Sequence, residues 1–262
     1  MDAGVDVEAD RAITAFIRES RKAHELPRVG PFALLLTGAT RLRFLNYAIP
    51  DDGADPDESE LDALVATFRA ADRMPRVEFL PSVAPALESR MMAHGWTQEA
   101  RLPLMTCTAQ TAREPRVPDG IVIAAPSDDG MLLEMARLQH EIFDDPEPAD
   151  ERTVARLRGS LSRGGRALIA RDAATSRLVG AAQCVAPAGG ATEIVGVVVV
   201  ASHRRQGLAA AMVSALSRQS LDAGLATVFL EAAPGADGAY RNAGFRRTST
   251  SVHLSLESDA DA

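Results

Sequence analysis

Two arginines and a glycine, Arg204, Arg205 and Gly207, stand between the apolar run "EIVGVVVV" (193–200) and the alanine-rich stretch "LAAAMVSALS" (208–217). Four successive valines are apolar on both faces, which suits a strand in the middle of a sheet. The alanine-rich stretch predicts a helix over 206–223. A strand that turns directly into a helix leaves the first helical N–H groups without intrahelical partners, at the end where the helix dipole is positive. Gly207 would let a ligand approach the backbone, and the arginines add charge, so the junction could cradle a phosphate or pyrophosphate. A strand, a loop with a glycine and a helix also occur together as ordinary packaging, so the reading needs support from the rest of the chain.

Composition sets the wider limits. The 262 residues are 46% hydrophobic, enough for two cores of ordinary domain size. A formal net charge of -8 with scattered basic residues disfavours nucleic acid as a partner. Cys107 and Cys184 are far apart with no metal-ligand spacing, which suits buried thiols, a reducing cytoplasm and no metal site. The N-terminal "MDAGVDVEADR" lacks an apolar core, and no run approaches the ~20 apolar residues of a membrane span. The expectation is a cytoplasmic protein without a membrane partner.

Turn and breaker residues divide the chain. "DDGADPDESE" (51–60) reads as a solvated acidic loop, and "AQTAREPRVPDG" (109–120) as a break in hydrophobic periodicity. The expected organisation is a domain at 1–112, a linker at 113–119 and a second domain at 120–262. In the second domain a strand at 121–125 leads to a helix capped by Ser127 or Asp128, and a further helix spans 151–161. "RALIARD", "RLVGAAQCVA" and "EIVGVVVV" form an antiparallel meander, and then come the 206–223 helix, the strand "ATVFLEA", a short helix ending at "YRNAGF" and a strand around "STSVHLSL". That order is a mixed α/β layer.

At this point a resemblance enters. "RRQGLA" (204–209) fits the Q/R-x-x-G-x-G/A acetyl-CoA signature of the GNAT superfamily of N-acetyltransferases, and "YRNAGF" (240–245) resembles the family's closing motif. The element order also looks like that fold. The resemblance implies an α/β (α+β mixed-sheet) architecture, a central sheet flanked by helices, and acetyl-CoA as co-substrate. It implies that backbone groups of Val197, Val198 and Val199 pair with the pantetheine arm like an added strand. It further implies that Arg204, Arg205, Gln206, Gly207, Leu208 and Ala209 receive the pyrophosphate, and that a strand N–H, for which Val199 is the candidate, stabilises the developing oxyanion.

Acetyl transfer to an amine needs a base for the incoming nucleophile and an acid for the departing thiolate. Tyr240 matches the family's tyrosine and is the expected acid, its alternative role being a ring packed under the cofactor. Glu193 is the expected base, acting through water, and its alternative is a solvated strand start. Ala233 stands where the family often has asparagine, and Ala201 and His203 also depart from the common pattern; none of these defeats cofactor binding.

The first half carries a fainter echo. "RVEFLPSVAPALESRMMAHGWTQEARLPL" (76–104) parallels "TVFLEAAPGADGAYRNAGFRRTSTSVHL" (227–254) as strand, short helix, Gly-aromatic and strand. The strand expected at "LRFLNYAIP" runs into an acidic loop, where carboxylates would repel a pyrophosphate. The chain thus resembles a tandem pair of GNAT-like acyl-CoA N-acyltransferase domains with a degenerate first copy and a competent second. The expected activity is transfer of acetyl from acetyl-CoA to a primary amine, small molecule or protein, by direct attack in a ternary complex. The alternative is a non-catalytic acyl-CoA-binding or sensing module. The assembly expected is a monomer or homodimer.

Overall fold

The protein is described here from a computed structural model that covers residues 7–24, 26–36, 41, 43–145 and 147–257, without the side chains of 7 and 21–24. Its elements in chain order are α1 (Val7–His24), β1 (Arg28–Val29), β2 (Phe32–Leu35), β3 (Tyr47–Pro50), α2 (Glu58–Ala70), β4 (Arg76–Phe79), α3 (Leu87–Ala93) and β5 (Thr97–Cys107). They continue with β6 (Ile121–Ala124), α4 (Asp129–Ile142), α5 (Glu151–Ser162), β7 (Arg166–Asp172), β8 (Leu178–Cys184), β9 (Ala191–Val199), α6 (Leu208–Asp222), β10 (Thr227–Glu231), α7 (Asp237–Asn242) and β11 (Arg246–Ser255). This is a mixed α/β fold.

Two compact units emerge, and neither is one continuous stretch. The first comprises residues 1–20 and 104–248, the second 21–103 and 249–262, as far as these are described. The second unit completes its sheet with Val252–Ser255, which pair antiparallel with β4. The first takes Leu104–Cys107 as the antiparallel neighbour of β10. The expected linker at 113–119 therefore lies inside the first unit, whose helix α6 holds it through Ser214, which donates to the Arg113 carbonyl.

In the first unit the strands run β5, β10, β9, β8, β7, β6. The apolar run of the sequence is central, as anticipated, with β8 antiparallel on one side and β10 parallel on the other. Each face has its own core. Ile194, Val228, Leu230 and Phe245 pack with Leu208, Met212 and Leu216 of α6 and Tyr240 of α7. On the opposite face Val198, Ile169 and Ala181 pack with Leu132 and Met135 of α4 and Val154 and Leu157 of α5. The caps are those the residue types favour: Asp128 accepts from Met131 N–H, and Asp150 from the Arg152 and Thr153 N–H groups.

The second unit buries Phe32, Leu34, Val77 and Phe79 against Leu61, Leu64 and Phe68 of α2 and Leu87 and Met91 of α3, with Val252 and Leu254 completing the layer. Two expectations are corrected here. Residues 43–45 form a 3-10 turn and the strand begins only at Tyr47; Leu42 lies outside the described residues. The segment read as a loop to residue 60 already becomes helix at Glu58, because Asp57 and Glu60 cap one another's backbone N–H groups. The alternate face of this sheet carries a fully buried Arg76, bonded to Glu78 and Glu99 and to Nδ1 of His253 at 2.8 Å.

Candidate functional site

The end of β9 is where the first unit's sheet opens. Strands β9 and β10 are paired only as far as Glu193 opposite Phe229, whereas β9 continues to Val199. Past Glu193, β9 therefore turns an edge without a neighbouring strand among the described residues towards the space beside β10. Residues Val197 and Val199 pack on the α6 and α7 core, while Val198 points to the opposite face.

A bulge sits in this strand. Ala181 and Gln183 of β8 oppose Val198 and Val195 of β9, so three residue steps on β9 match two on β8. Gly196, at φ 63°, absorbs the extra residue. A side chain there would be strained at this φ and would displace Gln139, whose Nε2 lies 2.3 Å from the Cβ position and donates to the Gly196 carbonyl at 2.8 Å. The bulge and its Gln139 anchor were not anticipated, although a glycine inside an apolar strand is the usual signal for one.

The loop after β9 is built as the residue types suggested. A 3-10 turn spans Ala201–His203, Arg205 has φ 61°, and Gly207 stands at the helix N-cap with φ 89°. Helix α6 begins at Leu208, two residues later than expected, because the left-handed Gly207 cannot continue a helix backwards. No side chain caps its first turn, and no acidic residue lies in it. Among the described residues, chain neighbours aside, nothing lies within 4 Å of a Cβ placed on Gly207, so the space beside this N-cap is open. Arg204, Arg205, Gln206 and Gly207 are exposed around it, Leu208 is buried and Ala209 partly so.

Two contacts hold this loop in place. Arg204 folds back so that Nε donates to the Val199 carbonyl at 2.9 Å, which ties the loop to the strand end. His203 lies 3.5 Å from the Asp172 carboxylate. The Thr175 N–H and hydroxyl, ahead of His203 itself, hold that carboxyl below its usual value.

Tyr240 lies on α7 in the same apolar cluster as Val197 and Val199, 8% exposed, and burial pushes its phenol pKa up. Glu193 is on the other face. Its neighbour Ile194 belongs to the α6 core, and alternation along the strand turns Glu193 and Val195 away from it. The structure thus brings Tyr240 to the strand stretch 197–199 and the loop 204–209 to one end of it, while Glu193 approaches from the opposite side of the opened sheet. Cys107 and Cys184 are buried and unpaired, with Cys184 pushed up to about 11 by burial, so neither is a poised nucleophile. Among the described residues no helix is long and apolar enough to cross a membrane.

Known proteins offer a direct comparison. The Acetyltransferase (GNAT) family profile matches residues 132–245, which span α4 to the end of "YRNAGF". A GCN5-related N-acetyltransferase from Kribbella flavida is 26% identical over 94% of this chain and 98% of its own, with a TM-score of 0.71. A tandem GNAT protein from the clavulanic acid biosynthesis pathway shares the fold at 16% identity, over 87% of this chain and 79% of its own, with a TM-score of 0.60. No curated protein sequence matches the chain. Residues 132–245 therefore match the Acetyltransferase (GNAT) family, and the chain has the fold of these solved GNAT structures.

Proposed function

We propose that the protein transfers the acetyl group of acetyl-CoA to a primary amine by direct attack in a ternary complex. The observation that carries this reading is an uncapped, glycine-fronted N-terminus on α6 together with a stretch of β9 leading to it that has lost its β10 neighbour. A long ligand with a peptide-like arm and a pyrophosphate fits that pair of features. The arm would add to Val197–Val199 as a short strand, and the pyrophosphate would accept from the first-turn N–H groups of Leu208 and Ala209 beside Arg204, Arg205, Gln206 and Gly207. The bound thioester supplies the activated acetyl group.

The remaining chemistry falls to side chains of this chain. Tyr240 keeps its proton to higher pH than an ordinary phenol because burial disfavours the phenolate. It is placed with the strand stretch 197–199, and it serves as the proton donor to the departing thiolate. Glu193 receives the amine's proton through water from the other face. The corresponding junction in the second unit is capped from within, because Asp57 accepts from the Glu60 N–H and Glu60 from the Asp57 N–H. One cofactor site per chain follows.

The test is thiol release from acetyl-CoA with a panel of primary amines, alongside calorimetric titration of acetyl-CoA alone. Turnover with at least one amine supports the enzyme; saturable binding without turnover across the panel would favour a binding module. A protein that does not bind acetyl-CoA at all would sink both readings.

A further inference from the structure

Helix α4 turns a regular stripe to the sheet: Leu132, Met135, Ala136 and Gln139 are its buried residues, at the spacing of one helix face. The first three are apolar and pack with Ile169, Ala181 and Val198. The fourth is an amide at 7% exposure, and an amide in such a place costs stability unless its polar atoms are bonded. Its Nε2 donates to the Gly196 carbonyl at 2.8 Å, across 57 residues of chain. An apolar residue would fill the stripe as well, so the amide stands out by what it holds.

Gly196 is the residue that gives β9 its bulge. In an uninterrupted strand the faces alternate, so Ile194 on the α6 core would place Val198 on that core too. The extra residue inverts this order: Val197 and Val199 pack on the α6 and α7 cluster with Tyr240, and Val198 packs under α4. The backbone follows the side chains. Val200 N–H donates to the Val179 carbonyl of β8 at 2.9 Å, so the alternate Val199 turns its carbonyl away from β8, where Arg204 Nε takes it. Val197, on the same face as Val199, shares that orientation, towards the side where β9 has lost β10. Without the bulge, Val198 would be turned there instead.

We infer that Gln139 is a positioning residue for acyl transfer: by holding the Gly196 carbonyl it fixes the bulge that aims the Val197 and Val199 backbone at the thioester. The inference rests on the acetyltransferase reading and adds to it a residue from outside the cofactor loop. Gln139 touches neither substrate in this scheme and acts through Gly196 alone. Since a carbonyl only accepts, the hold needs a donor at this position, and a side chain of the same size without one loses it.

The experiment compares wild type, Gln139→Leu and Gln139→Glu in thiol release from acetyl-CoA, with spermidine, glucosamine and glycine methyl ester as acceptors, across acid to alkaline pH, and in calorimetric titration of acetyl-CoA. Leucine fills the stripe but donates nothing, so kcat should fall by about tenfold or more, as misplacement of a reacting group does. Acetyl-CoA affinity, carried mainly by the loop 204–209, should stay within about threefold of wild type. Gln139→Glu supplies a rescue by pH. Its carboxyl donates an O–H to the Gly196 carbonyl when protonated and repels it when ionised, and burial raises such a carboxyl above its ordinary value of about 4.3. Its kcat relative to wild type should therefore rise as pH falls, while the Gln139→Leu ratio stays flat. A merely structural Gln139 would lower the melting temperature of both variants and leave kcat per folded molecule as in wild type at every pH, which overturns the inference. A Gln139→Glu ratio that is independent of pH overturns it as well, and that series decides alone if Gln139→Leu does not fold. Wild type that releases no thiol with any acceptor overturns the acetyltransferase reading and the inference with it, so wild type tells the two failures apart.

Discussion

The chain contains two strand-to-helix junctions of the same kind, and they end differently. At the first, β3 leads to α2, whose N-cap Asp57 accepts from Glu60 N–H at 2.9 Å while Glu60 accepts from Asp57 N–H at 3.0 Å. At the second, β9 leads to α6, whose N-cap Gly207 has no side chain to offer and, among the described residues and its chain neighbours aside, nothing within 4 Å of a Cβ position. The first junction satisfies its own helix donors with carboxylates and is thereby closed to an anion. The second leaves them without a side-chain cap, as the proposed pyrophosphate site requires. A helix N-terminus is thus a stability device or a binding device depending on a few residues, and the choice here falls on opposite sides in the two halves.

The largest effect should come from giving the second junction the character of the first. In Gly207→Glu a carboxylate enters the anion's space at a backbone φ that non-glycine residues adopt only with strain, on the order of 1–3 kcal/mol. Acetyl-CoA affinity should fall by ~100-fold or more, and calorimetry that finds one site per chain in wild type should find none in the variant. Two sites in wild type would break the comparison outright.

Chemistry rather than binding is probed by Tyr240→Phe. The ring stays in its apolar cluster, so acetyl-CoA affinity should hold while kcat drops by about 100-fold. Burial raises the phenol above its ordinary 10.0, so the proton needed for transfer is retained across the neutral range and is lost only at higher pH. The same sign applies to stability: the contribution of the protonated phenol is complete below pH 10.0 and disappears as pH climbs through the raised value. A high-pH decline in kcat that is unchanged in Tyr240→Phe would remove the residue from the reaction.

A smaller effect is expected from Arg205→Ala. The exposed guanidinium adds attraction that salt screens, so affinity should weaken by roughly threefold to tenfold at low ionic strength and converge on wild type as salt is added. A difference that persists undiminished at high salt would mean Arg205 shapes the loop through its φ of 61° rather than through its charge.

The smallest effect belongs to the closed junction. Asp57→Ala removes the cap of α2 and should lower the melting temperature modestly without touching acetyl-CoA binding. The Glu60 N–H, followed by the Ser59 hydroxyl, holds the Asp57 carboxyl below 3.8, so this contribution is present above that pH and vanishes as pH falls through the lowered value. The variant and wild type should therefore converge in melting temperature in strong acid. New acetyl-CoA binding in Asp57→Ala would show that the capping carboxylate was all that kept the first half silent.

Much of the second half could be read in advance. The three-stranded meander, the helices at 151–162 and 208–222 and the closing strand lie close to where alternation and capping residues put them, because each is specified by local periodicity. The first half was less legible. A capping box starts α2 inside a stretch that composition alone assigns to a loop, and "LRFLNYAIP" forms a strand only over its last four residues. Of the candidate site, the loop 204–209 was visible because its residue types state its geometry. Gly196 and Gln139 were not, since a bulge is defined by the partner strand and a side chain from a distant helix.

By itself the sequence determined the elements and the geometry of the loop 204–209, because strand alternation, helix propensity and the left-handed preference of Gly207 act within a few residues of chain. Only the tertiary structure decided that residues 104–107 and 252–255 pair with strands more than 100 residues away, and that β9 and β10 part after Glu193. Those facts depend on which edges and faces meet across long stretches of chain, and no local pattern encodes that meeting.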